Sequence, residues 1–252
     1  MRSVRDAYRG FVQRDFVWYA VDEDTAGADI VYLYHSLAPV AAPYTEVTKT
    51  IMIDLTRPAD DLFAEVQKDA RYKIKRAERE GVTFVALAPP SDADMAEFNV
   101  AHADLEARVN RPKIDFAKQK LLATRQREFV LTKSLDADGK PVSWHLYLSF
   151  QGRARLVHTV TILLDKNSTQ DKNFAGRANR FHHWKDILYF KERGLTLFDF
   201  GGWVAPGEDA KMRSISEFKE GFGGKVVECH NAVIPKTRLG AVVASIRNTF
   251  HI

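Results

Sequence analysis

Cysteine is almost missing from this chain: Cys229 is the only one in 252 residues. A single thiol excludes an internal disulfide and any zinc site built from several cysteines. It stands in the apolar run VVECHNAVI and reads as a buried, inert thiol rather than a nucleophile. No apolar run has the length of a membrane span. The opening MRSVRDAYRG is charged and lacks the apolar centre of a secretory signal, so a cytoplasmic setting is expected. Phosphate loops of the P-loop and dinucleotide types are absent, and no G-x-S-x-G elbow supports Ser/His/Asp catalysis. No internal repeat is visible. An excess of one charge sign is also lacking: 37 basic against 33 acidic residues give a net charge of +4. That balance is compatible with a polyanionic partner and does not require one.

What is present is an ordinary globular composition, 45% apolar and 28% charged, long enough to bury a full core. Strands are predicted over 16–21, 30–34 and 48–54, with Pro39 and Pro43 between the second and third. Apolar positions three and four apart predict one helix over Asp60–Glu80, stopped by Gly81. A strand over 82–88 and a helix from Ser91 to about Arg108 follow, then a shorter helix around 116–124. Short turns separate strands over 128–135, 142–150 and 155–164, as in an antiparallel meander. A polar loop over 165–177 is expected, then a helix over 179–193, a strand over 195–200, a last strand from Lys225 and a helix over 238–248.

The densest chemistry lies between Gly194 and Glu228, in GLTLFDFGGW and ISEFKEGFGGKVVE. Paired glycines at strand ends mark sharp bends or close approach of backbone to another group. Asp199 and Lys219 stand in apolar surroundings, where an unpaired charge is expensive. Asp199 either organises the Gly201-Gly202 turn through backbone amides or acts on an incoming amine. Lys219 is either a surface lysine on a turn or a cation that stabilises an oxyanion. Trp203 suits stacking on a base or sugar as well as it suits a core. His145 and His158, on neighbouring strands, are candidate general bases if they face one another, and satisfied core histidines otherwise. His182 and His183 have no carboxylate at metal-site spacing, so a zinc site is not expected. Arg71, Lys75 and Arg79 share one side of the basic helix RYKIKRAERE. Charge alone reads this as a solvated face complementing the helix dipole, with phosphate tracking as the alternative.

Two patterns carry a family resemblance. GL-x-x-F/Y-D-F/L-G-G followed by FK-x-x-FGG resembles the Fem-type aminoacyl and peptidyl transferases, a branch of the GNAT acyltransferase superfamily. Arg71, Ile74, Lys75, Arg76, Ala77 and Gly81 match a further Fem-type segment, R-x-x-I-R/K-K/R-A-x-x-x-G. The resemblance spans about Thr48 to Ile234. It implies a GNAT-like α/β (α+β) fold, a mixed, mostly antiparallel sheet flanked by helices. Residues 1–55 would be the remnant of a first GNAT unit and 56–252 the transferase core. It further implies a transferase moving an aminoacyl group from aminoacyl-tRNA to an amine acceptor, a peptidoglycan precursor or small peptide, by direct attack and without a cofactor or metal. On that reading Lys219, Asp199, His158 and His145 are the catalytic candidates. Phe218, Trp203, Gly201, Gly202 and Trp144 contact substrate, and Arg71, Lys75, Arg76 and Arg79 bind tRNA.

Two other readings stay open. One is an N-acyltransferase using acyl-CoA or acyl-carrier protein. Its Q/R-x-x-G-x-G/A loop would fall at KNFAGRAN, where only Gly176 matches, with Ala178 as a partial second. The other is a catalytically silent module binding tRNA or glycan.

Overall fold

The computed structural model describes residues 3–8, 10–19, 25–109, 129–162, 168–207 and 210–246. The helix expected around 116–124 lies outside them. The described chain divides into two compact units, one holding residues up to Thr50 together with those from Val226, the other running from Ile51 to Lys225. The last strand and helix therefore group with the N-terminal strands, not with the segment expected to form the core.

In the first unit β1 (Ser3–Tyr8) and β2 (Val12–Trp18) form an antiparallel hairpin. β3 (Ile30–Ser36) runs parallel to β2, and β10 (Lys225–Pro235) pairs antiparallel with β3, Ala232 opposite Leu33. Val17, Ala28, Val31, Leu33 and Ala232 make its small core. Asp15, fully buried, is held by Arg5 through two hydrogen bonds of 2.7 Å. β1 was not expected, because its alternation is carried by charged residues that pair across the hairpin.

The second unit begins inside β4 (Tyr44–Asp54). Its sheet has the order β4–β9–β8–β7–β6–β5, with β5 Thr83–Leu87, β6 Phe129–Leu135, β7 Pro141–Phe150, β8 Arg153–Thr161 and β9 Leu197–Asp199. Neighbours are antiparallel except β8 and β9, which are parallel. A parallel pair needs a crossover, here the long helix α4 (Thr169–Glu192). Pairing of β8 with β9 ends at Arg155 opposite Asp199. β8 runs on to Thr161 while β9 stops, so the two strands part at that point.

Two expectations are corrected here. The segment Asp60–Glu80 is not one helix but two, α1 (Ala59–Glu65) and α2 (Lys68–Arg79). Val66 and Gln67 are extended, and the Gln67 amide donates to the Gly221 carbonyl at 2.9 Å. Arg71 Nη1 caps the exposed end of α1, donating to the carbonyls of Ala64 (2.6 Å) and Val66 (2.7 Å). Helix propensity is high throughout this stretch, so the break answers to tertiary partners that local sequence does not encode. Secondly, α4 starts ten residues before the expected 179. The Ser168 side chain accepts from the Asp171 amide, a cap that the polar composition disguised as loop. Ala175 and Ala178 then bury against the core, and Arg177 makes a forked ion pair at 2.9 Å with Glu80, the residue capping the end of α2.

The remaining helices are α3 (Asp92–Val109), α5 (Ala210–Glu220) and α6 (Arg238–Ile246). Among the described residues no helix is long and apolar enough to cross a membrane.

Candidate active site

The site is built where β9 ends. Asp199 is fully buried, and its Oδ2 accepts from Arg153 Nε at 3.0 Å and Nη2, and from Arg155 Nη1 at 2.6 Å. Both arginines come from β8, two residues apart and so on one face of the strand. Oδ1 accepts from the Gly201 amide at 2.8 Å, fixing the turn that follows. Gly201 has φ +63°, and a Cβ there would meet the Leu156 carbonyl oxygen at 2.7 Å. Only glycine fits that conformation and that approach.

Lys219, in the last turn of α5, completes the other side of the turn. Its Nζ donates to the carbonyls of Gly201 and, at 2.7 Å, of Gly202. The two glycine motifs are thus joined: Asp199 holds an amide of the turn and Lys219 holds its carbonyls. Burial pushes the Lys219 ammonium down to about 8, helped by the charge of Arg155 and opposed by that of Asp199. Gly224 closes the far end of FKEGFGG at φ +87°, where a Cβ would lie 2.6 Å from the Met52 carbonyl oxygen.

Half-buried aromatic rings flank the lysine. Trp203 Nε1 donates to Glu220 Oε1 at 2.6 Å, and Arg213 grips the same carboxylate with two bonds of 2.8 Å. Phe218 lies edge-on to His183, with ring centroids 5.4 Å apart, and under the guanidinium of Arg180 at 4.8 Å. The Arg180 guanidinium is held below its ordinary value by burial.

The histidines behave differently from the expectation. His145 pairs with Thr159, whereas His158 pairs with Leu146, so the two rings point to opposite faces of the sheet and do not meet. His158 lies against His102 of α3, 4.9 Å between centroids. His145 is fully buried beneath α4, its Nδ1 bonded to Asp186 at 2.7 Å and its Nε2 to Asn179 at 2.9 Å. Shut in this way, it has no nitrogen left for a substrate proton. His182 stacks on one side of it (3.7 Å) and His183 on the other (4.1 Å). Burial holds both His182 and His183 well below the ordinary histidine value, hence neutral.

A carboxylate does stand at metal-site spacing from His182, contrary to expectation: Asp186, one turn on, forms a group with His145 and His182 whose ligand atoms lie within 4.8 Å of one another. Those atoms are already committed. His182 bonds Ser143 at 2.7 Å and Thr132 at 2.9 Å, and Asp186 accepts from Thr132, His145 and Tyr147, each at 2.7 Å. The cluster is a satisfied buried polar network.

Trp144 is a further correction. It is 1% exposed in β7, with Lys133 4.6 Å over its ring, and presents no surface to a substrate. On α2, Lys75, Arg76 and Arg79 are exposed, Arg76 pairing with Glu80 at 2.9 Å, while Arg71 is spent on the end of α1. KNFAGRAN is helical: Gly176 lies eight residues after the Ser168 cap, where its amide belongs to the helix ladder. Sequence reasoning missed Arg153, Arg155, Arg180 and His183. The first two left a signal, alternating cations on a strand that could answer the buried charge of Asp199.

No family model matches the chain, and no curated protein does. Solved structures do. FemX superposes with a TM-score of 0.65 at 10% identity, covering 94% of this chain and 84% of its own. The C-terminal domain of a lysylphosphatidylglycerol synthetase from Agrobacterium fabrum, described as putative in its name, gives 0.57 at 13%, covering 93% and 81%. L-PGS from Bacillus licheniformis gives 0.52 at 16%, covering 94% and 84%. At such identity the likeness establishes the fold: this chain has the α/β fold of FemX, with its mixed, mostly antiparallel sheet flanked by helices.

Proposed function

We propose that the protein is an acyltransferase that moves an aminoacyl group from aminoacyl-tRNA to an amine acceptor, a peptidoglycan precursor or small peptide. The observation that carries this reading is Lys219, a half-buried ammonium anchored on the Gly201-Gly202 carbonyls beside the parting of β8 and β9. In the reaction the acceptor nitrogen attacks the ester carbonyl, forming the C–N bond. The C–O bond to the tRNA ribose then breaks, and the proton lost by the amine ends on the released hydroxyl. Charge builds on the carbonyl oxygen in between, and a desolvated cation already held in place is suited to stabilise it. Asp199 acts by holding the turn rather than by touching substrate.

The donor reading draws support from α4. A pyrophosphate would need free amides at a glycine-rich helix entrance. Here Gly176 is inside the helix, Ser168 occupies the Asp171 amide, and Asp171 puts a negative charge in the first turn. The same arrangement disfavours acyl-CoA. FemX and the lysylphosphatidylglycerol synthetase domain, as solved structures of this fold, fit the transfer reading. We read the unit from Ile51 as the transferase core and the N-terminal strands as what remains of a first GNAT unit, working in the cytoplasm where charged tRNA is made.

Mixed radiolabelled aminoacyl-tRNA offered with candidate amine acceptors tests the proposal. Protein-dependent passage of label into a base-stable amide is the expected result. Label that leaves tRNA no faster than without protein, together with saturable coenzyme A binding by calorimetry, would overturn it in favour of an acyl-CoA donor.

A further inference from the structure

Four cations gather where β8 and β9 part: Arg153, Arg155, Lys219 and Arg180. Asp199 faces the first two, and Lys219 donates to main-chain oxygens. Arg180 has no ion pair among the described residues. Its Nη1 donates to the Gly176 carbonyl, one turn back in its own helix, at 3.0 Å. Asp69, the carboxylate whose field reaches it, is taken by Lys73 at 2.7 Å. One turn on from Arg180 stands His183, 2% exposed, with Nδ1 buried and without a hydrogen-bond partner. Its ring is enclosed by Phe200, Phe218 and Phe222 at 5.4 to 5.6 Å, and both Lys219 and Arg180 bear on it electrostatically.

A half-buried guanidinium without a counterion and a buried ring nitrogen without a partner each cost free energy that a ligand can return. A guanidinium offers a fork of donors shaped for planar or tetrahedral oxyanions, and Phe218 beneath it fixes its plane. The excess of positive over negative side chains matches a doubly charged group better than a single carboxylate.

We propose that Arg180, with the His183 imidazole packed beside it and the Lys219 ammonium contributing charge but no hydrogen bond, forms a binding site for the phosphate of a phosphoester substrate. The inference deepens the transfer reading by giving one substrate a chemical class, and rests on that reading for what the phosphate is attached to. Two sources share the chemistry: the phosphodiester end of the tRNA donor, and a phosphorylated acceptor.

Inorganic pyrophosphate titrated into the full chain by calorimetry at low salt is the test. Saturable one-to-one binding is expected, weakened about tenfold in Arg180→Gln, the loss of one charge-assisted hydrogen bond. Arg180→Lys, which keeps the charge, should retain part of the affinity, and Lys75→Gln/Arg79→Gln on α2 should retain all of it. Independently of any variant, pyrophosphate should move the imidazole NMR signals of His183 and leave those of His158, on the other face of the sheet, in place. Weaker binding of deacylated tRNA to Arg180→Gln assigns the phosphate to the donor. Unchanged tRNA binding, with a nucleoside diphosphate binding more tightly than pyrophosphate, assigns it to the acceptor. Absence of saturable binding, equal affinity in Arg180→Gln, or an unmoved His183 would overturn the site. Binding is read without turnover, so this result and the transfer assay can fail separately.

Discussion

Lys219 Nζ lies 2.7 Å from the Gly202 carbonyl oxygen, a contact that ties the last turn of α5 to the turn after β9. The lysine uses two donors on main chain, and an ammonium has three, so one N–H remains for a reacting carbonyl. Lys219→Met should therefore fold with a cooperative melt close to wild type and lose about a hundredfold in transfer rate, the scale for one oxyanion donor. Single-turnover transfer from aminoacyl-tRNA reads this directly, and a rate within a few-fold of wild type would remove Lys219 from the chemistry.

The depressed lysine also gives a pH signature with two opposite signs. With the folded-state value near 8 and an ordinary value of 10.5, the unfolded chain binds more protons than the folded one between those limits. Stability contributed by this group therefore rises as pH goes from about 8 towards 10.5. Activity that depends on the ammonium falls over the same range. We expect transfer to decline above pH about 8 while the urea midpoint of wild type gains on that of Lys219→Met. In Lys219→Arg, always charged, any residual activity should lack the decline. Activity still rising past that pH in wild type would contradict the charged-lysine role.

Asp199→Asn removes the buried carboxylate to which Arg153, 2% exposed, and Arg155 both donate. Breaking a buried pair in this way costs about 3–5 kcal/mol. Equilibrium urea unfolding should show a loss of that size. A change below about 1 kcal/mol would mean that the arginines are neutralised elsewhere.

Electrostatic steering by α2 rests on Lys75 and Arg79, because Arg71 is committed to the carbonyls of α1. Lys75→Gln/Arg79→Gln should bind tRNA with a log affinity against log salt slope shallower by about two, close to one per phosphate contact, at an unchanged melting temperature. Arg71→Gln should instead lower the melting temperature, through the uncapped end of α1. An unchanged slope in the double variant would return α2 to a plain solvated face.

Legibility from sequence followed the range of the interaction. The meander from β6 to β8 was readable because alternation and tight turns are local. So was the glycine stop of α2. The early start of α4 was not, although Ser168 and Asp171 form a cap, because ten polar residues mask the few alanines that bury. The split of α1 from α2 was invisible, since its cause is Gly221, more than a hundred residues away. Trp144 and His145 looked like site residues by type, and only the depth of β7 in the sheet shows them enclosed.

The sequence by itself determined the glycine turn after Asp199 and, through its motifs, the fold class, because strand endings, positive-φ glycines and isolated charges in apolar runs are short-range signals. That Lys219 closes on this turn came only from the structure. Tertiary structure alone decided who answers those charges. Arg153 and Arg155 reach Asp199 across 46 and 44 residues because β8 and β9 lie side by side and parallel. His145 and His158 were divided between the two faces of the sheet by the register of β7 on β8. Partner choice depends on strand order and register, and a one-residue slip in register turns every side chain to the opposite face.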